Sequence, residues 1–198
     1  LVDIVNKLSD SYDITIFTIY SNGELEKELS SKVKLKTLCD KSYLQLNKFQ
    51  RKIGMPLKVL LFKNNIAKKQ LKGKYDVEIA FLEGPITRIF SYKNKNVKKI
   101  AWIHNDISQV FGKGIKSKLK RILDNKIYSK YDKLIFVSKD NMLKFNEIYP
   151  DINVDKQAIY NYIDKEKVLR KAEKGQDIKF DENVINFVTV TRLVEQKA

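Results

Sequence analysis

Short β-rich runs separated by stretches with helical spacing set the tightest limit on what this chain can fold into. They read DITIFTIY (13–20), VKLKTL (33–38), DVEIAFL (76–82), VKKIAWI (97–103), KLIFV (133–137), QAIYNY (157–162) and INFVTV (185–190). Between them the spacing predicts helices at 24–30, across 43–71 with a break near Gly54 and Pro56, and at 85–92, 115–130, 139–148 and 165–174. Strands that alternate with helices predict an α/β fold, a mostly parallel sheet flanked by helices. Ligands of such sheets bind beyond the carboxyl ends of the strands.

A chain of 198 residues that is 43% hydrophobic has enough material for one sizeable core. The polar stretch AEKGQDIKFDEN ends the clear alternation, so the expected organisation is a domain over 1–173, a linker over 174–184 and the start of a second domain over 185–198. The opening LVDIVNKL already has amphipathic helical spacing, which reads as the interior of a longer protein and shows no signal peptide. The apolar stretch 53–62 contains Pro56 and Lys58 and falls well short of the roughly 20 residues that span a bilayer. With Cys39 as the single cysteine, no intramolecular disulfide can form, and a reducing, cytoplasmic setting is the simplest expectation.

The only histidine and the only tryptophan fall in AWIHND, 101–106. The apolar run ends at His104, which puts an imidazole that titrates near neutral pH at the carboxyl end of a strand. Two readings stand for it: a ligand-contacting group, or a histidine held by local hydrogen bonds at a strand terminus. Asn105 and Asp106 open the loop that follows and share its candidate cleft. FLEGP, 81–85, ends a strand in the same way, so Glu83 faces that cleft if the two strands are neighbours; its plainer role is a turn residue near a helix N-terminus. In FVSKDN, 136–141, Ser138 is placed as a helix N-cap.

The net charge of +15 favours an anionic partner without choosing among nucleic acid, an acidic membrane face and phosphorylated ligands. Much of it lies between Ser91 and Lys133. Within that segment the 115–130 helix sets Ile115, Leu119, Ile122, Leu123 and Ile127 on one face, with Lys116, Lys118, Lys120, Arg121 and Lys126 around the rest. The expectation is a domain-surface helix with a solvated lysine face and a weak added attraction to anionic membrane. Nucleic acid is disfavoured, since no RNP, KH or zinc-finger pattern occurs. Gly112 and Gly114 make no phosphate loop, because GxxxxGK[ST] is absent. Near the C-terminus, VTVTRLVEQKA presents Arg192 and Lys197, a guanidinium fork and a point charge suited to a diphosphate.

Taken in order, FLEGP, KIAWIHND, KLIFVSKDN, YNYID (160–164) and VTVTRLVEQK resemble the GT4 family (group 1) of retaining glycosyltransferases, over nearly the whole chain. The resemblance implies a GT-B fold of two Rossmann-like domains, of which this chain carries the N-terminal, acceptor-binding half without its first strand, and the first strand of the donor half. It implies transfer of a sugar, of hexosyl type, from a nucleotide-sugar donor to a saccharide or lipid-linked acceptor in cell-envelope polysaccharide biosynthesis. By the same resemblance His104 contacts the transferred sugar, while Arg192 and Lys197 bind the donor diphosphate and stabilise the leaving group without metal or cofactor. The implied setting is cytoplasmic, peripheral at the inner face of the cell membrane. Thr191 stands where the family has a glycine, and the family's C-terminal glutamate pair is absent, so the expectation for this stretch alone is little or no transfer. The alternative is a non-catalytic basic α/β module that binds nucleic acid or anionic membrane.

Overall fold

In a computed structural model, the structure describes residues 1–71, 75–107, 115–174 and 183–187. The chain divides into two compact units, Leu1–Tyr162 and Ile163–Ala198. The first holds α1 (Val2–Leu8), β1 (Thr15–Tyr20), β2 (Lys34–Cys39), α2 (Met55–Gln70), β3 (Val77–Ala80), α3 (Pro85–Phe90), β4 (Lys98–Ile103), α4 (Ile115–Tyr128), β5 (Lys133–Phe136), α5 (Lys139–Ile148) and β6 (Asp155–Ala158). The second contributes α6 (Lys165–Ala172), which starts where the Asp164 carboxylate accepts a hydrogen bond from the Lys167 amide at 2.9 Å. The fold is α/β, with parallel sheets flanked by helices.

β1 and β2 pair in parallel as a two-stranded sheet, and β3-β4-β5-β6 form a second, four-stranded sheet in that order, also parallel throughout. Because strand order follows chain order, right-handed crossovers carry α3, α4 and α5 onto one face of the larger sheet. Burial alternates accordingly. Ala80, Ala101, Ile103, Leu134 and Phe136 are fully buried on the helix side, while Val77 and Ile79 on the other side of β3 are 47% and 42% exposed. The central strand β5 is covered on both faces, with Ile135 only 3% exposed. Under the helices lies an aromatic cluster around Phe145, whose ring sits 5.0 Å from Phe136, 5.2 Å from Tyr128 and 4.8 Å from Tyr149.

The sequence expectations for α5 and for most strands agree with these elements within two residues. Three differ for physical reasons. The 24–30 helix is one 3₁₀ turn, Glu26–Glu28, in the short connection between β1 and β2. The 43–71 region does not break at Gly54 and Pro56: a π-helical turn, Gln50–Gly54, runs directly into α2, where Pro56 sits in the first turn and needs no amide partner. The last strand of the first unit is Asp155–Ala158 instead of 157–162, because pairing with β5 ends at Phe136 and leaves Tyr160 and Tyr162 beyond the ladder. Residues 185–187 have no regular structure, and the rest of the expected 185–190 strand lies outside the described residues.

A buried ion pair occupies the helix side between β3 and β4. Glu78 and Lys99 are 4% and 3% exposed, with Lys99 Nζ 3.7 Å from Glu78 Oε2. The same ammonium donates to the carbonyls of Phe90 (2.8 Å) and Tyr92, closing the C-terminal end of α3, and the Tyr92 hydroxyl donates to the other Glu78 oxygen. Burial pushes the Glu78 carboxyl up and the Lys99 amine down, and each charge opposes the shift of the other. Burial, reinforced by the neighbouring carboxylate, also pushes the Tyr92 phenol up to about 12. Removing one member strands its partner in the core. Lys99→Met is therefore expected to lower unfolding free energy by about 3–5 kcal/mol in urea melts, and Glu78→Leu/Lys99→Met to recover most of that loss. Equal losses in the single and double variants would contradict a coupled pair.

Candidate functional site

The site begins with register. Val77 pairs with Lys98 and Ala80 with Ala101, a constant offset between β3 and β4. The residues just beyond the two strands therefore emerge side by side. Glu83 lies on the turn after β3, where Gly84 takes a φ of +94° that other residues rarely adopt, and reciprocal hydrogen bonds between Gly84 and Thr87 start α3. From that turn the Glu83 carboxylate reaches across to the end of β4. Its Oε2 accepts the His104 amide at 3.1 Å and its Oε1 accepts the Asn105 amide at 2.6 Å.

Glu83 is thus a turn residue before a helix, and it meets the segment that carries His104. It does so through the backbone, as a clamp on two amides past the end of the β-ladder. The Asn105 contribution is its main-chain N–H, and its side chain is exposed. Asp106 accepts from Lys144 Nζ at 3.0 Å, and Lys144 also pairs with Asp140 at 3.0 Å, which ties the loop after β4 to α5. Sequence reasoning missed Lys144, although the Asp140–Lys144 spacing of four on a helix was the available signal. Ser138 caps α5 as expected, accepting from the Asn141 amide at 3.1 Å.

The imidazole itself joins an aromatic row on the face of the sheet away from the helices. His104 lies 4.5 Å from the Phe81 ring and stacks at 20° to Trp102, with Phe81 and Trp102 5.0 Å apart. Trp102 is half-buried and belongs to this row. His104 Nε2 and Trp102 Nε1 are covered and lack hydrogen-bond partners among the described residues. Covered polar atoms without partners are uncommon and concentrate where a protein needs them for something other than stability.

Desolvation among these rings lowers the His104 pKa below 6.5, and the Glu83 carboxylate pulls the other way. The neutral imidazole is thus favoured in the folded chain at pH 7. Among the described residues no group of three or more His, Cys, Asp and Glu side chains is arranged to hold a metal ion. Arg192 and Lys197, the expected diphosphate ligands, lie outside the described residues, as do Gly112 and Gly114. No family model matches this chain, and no curated protein matches it.

Because the chain has one histidine, its imidazole titration can be followed by NMR without assignment ambiguity. The midpoint is expected below 6.5, and lower still in Glu83→Gln, since the opposing carboxylate charge is gone. A group with a depressed folded pKa contributes stability that is present above its unfolded value and lost as pH falls through the folded one. Unfolding free energy is accordingly expected to decline on acidification below about pH 6.5, and less so in His104→Gln. A midpoint at or above 6.5 would contradict the desolvated setting.

Proposed function

We propose that this chain is the acceptor-binding half of a retaining, metal-independent glycosyltransferase of the GT-B type, one that takes a sugar from a nucleotide-sugar donor. The observation that carries the reading is His104 itself: an imidazole packed among aromatic rings at the carboxyl end of a parallel strand, on a backbone fixed where the His104 and Asn105 amides donate to the Glu83 carboxylate. Carboxyl ends of parallel strands are where such sheets meet ligand. A neutral imidazole there can accept from or donate to a sugar hydroxyl without a competing charge. The ordered motifs from FLEGP to VTVTRLVEQK add the family reading to this geometry.

In this mechanism His104 orients the transferred sugar, and Glu83 fixes the backbone from which the imidazole projects. Asn105 and Asp106 border the acceptor side. Arg192 and Lys197 bind the donor diphosphate and offset the charge that grows on the leaving group. The acceptor is a saccharide or lipid-linked glycan of the cell envelope, and the setting is the cytoplasm at the inner face of the membrane. Among the described residues no helix is long and apolar enough to cross a membrane, which fits a peripheral association.

The test is transfer by the full-length protein presented with a panel of UDP and GDP sugars. At least one donor is expected to be consumed, and His104→Ala is expected to cut turnover by at least about a hundredfold while moving the melting temperature little. No hydrolysis or transfer of any donor would overturn the assignment. Parallel loss of activity and melting temperature in His104→Ala would return the imidazole to a structural role.

A further inference from the structure

α2 packs inward through Met55, Val59, Ile66, Ala67 and Leu71, while Leu57, Leu60 and Leu61 on its other side are exposed. Lys63 falls in the inward stripe, four residues after Val59 and three before Ile66, where helical spacing calls for an apolar side chain. On α3 the Arg88 side chain is only 20% exposed. On α4 Asp124 lies one turn before the buried Ile127 and Tyr128, and its side chain is 13% exposed. Three helices therefore bring charged side chains to the place where their packed faces converge.

One ion pair forms there. Arg88 Nη2 reaches Asp124 Oδ1 at 3.3 Å, a single long contact in place of the two-pronged grip that a guanidinium can make on a carboxylate. The Arg88 Nε–H is covered and has no acceptor among the described residues. Lys63 has no carboxylate within ion-pair distance among the described residues, and neither has Lys130, which follows α4. Burial, then the like charges of Lys130 and Arg88, push the Lys63 amine down. Burial pushes the Asp124 carboxyl up, against the pull of Arg88 and of Lys120 one turn earlier on α4. The sequence between Asp40 and Asp76 holds no acidic residue, so α2 and its flanks cannot supply a second carboxylate. Even without Lys120, three cations meet one carboxylate, and two positive charges are left without a counterion.

We infer that the junction of α2, α3 and the C-terminal end of α4 is a binding site for a small phosphate-bearing anion, held by Lys63, Arg88 and Lys130. Phosphate fits the excess in both charge and shape. A phosphate monoester carries about −1.5 to −2 at neutral pH and presents three acceptor oxygens. That is enough for two ammonium groups as point charges and one guanidinium N–H. A carboxylate ligand would leave one of the two charges uncompensated. Partial burial, which makes lone charge costly at this junction, also strengthens its attraction to an anion.

The site lies at the opposite end of the strands from the imidazole. Arg88 is in the last turn of α3, before β4 begins, and Lys130 lies between α4 and β5, so both stand at the amino ends of the strands. His104 follows the carboxyl end of β4. The inference stands independently of glycosyl transfer, since it uses no residue of the His104 site.

Calorimetric titration of the full chain with inorganic phosphate, at ionic strength held constant with chloride, tests it, with amide NMR shifts locating the ligand. Saturable one-to-one binding is expected, with the largest shifts around residues 63, 88 and 130. Affinity is expected to fall at least about tenfold in Lys63→Gln/Lys130→Gln. It is expected to change less than about twofold in Lys27→Gln/Lys48→Gln, which removes the same charge elsewhere on the surface. The first variant keeps the pair of Arg88 with Asp124, and an unchanged melting temperature without phosphate shows that it folds. Lys130→Gln alone, at an exposed position, is expected to weaken binding about threefold or more. The inference is overturned by no saturable binding, by equal weakening in the two double variants, or by shifts centred on His104 and Asn105. It is also overturned if free phosphate leaves the chain unchanged while phosphatidylglycerol vesicles bind through the same lysines.

Discussion

Parallel pairing of β3 with β4 is the constraint on which the rest of the first unit depends. Ala80 opposite Ala101 sets an offset that continues past the ladder, so Glu83 arrives level with His104. A slip of one residue between the two strands would put Glu78 and Lys99 on opposite faces of the sheet and break their ion pair. Register is therefore enforced from the core: the buried pair fixes which residues face the helices, and the clamp at the strand ends follows.

Strand order has a second consequence. A sheet whose order follows the chain receives its connecting helices on one side, and the burial alternation of β3 and β4 records this. The aromatic row of Phe81, Trp102 and His104 stands on the opposite side, where cover is thinner. A neutral imidazole and an unpartnered indole N–H are sustained there because the rings around them exclude water without supplying acceptors. The same asymmetry of cover recurs in α2, whose inner stripe is packed and whose outer stripe is apolar yet open.

The position of His104 was legible in the sequence because an apolar run that stops at an imidazole marks a strand end. Ser138 was legible because capping is local. Glu83 was half legible: its turn could be read, but its hold on the His104 and Asn105 amides depends on a register that no local pattern encodes. α2 was legible as a helix but not in its facing, for a related reason. Apolar residues all around a helix normally signal burial, and periodicity cannot tell which stripe faces the core. On the 115–130 helix the apolar face was real as spacing, but Leu119 and Ile122 are exposed while Leu123 and Ile127 pack on the core. The β6 ladder was displaced from QAIYNY because a strand ends where its neighbour does, and β5 ends at Phe136.

The functional proposal rests on a strand end built to present one neutral imidazole, and the Glu83 clamp is what makes it a built feature. Residue-resolved amide hydrogen exchange tests this most directly. In the native chain the His104 and Asn105 amides should exchange at least about tenfold more slowly than the exposed loop amides after α3, and Glu83→Ala should release those two while Ala101 and Ile103 stay protected. Exchange of His104 and Asn105 at loop rates in the native chain, or loss of protection along the whole of β4 in Glu83→Ala, would contradict the account.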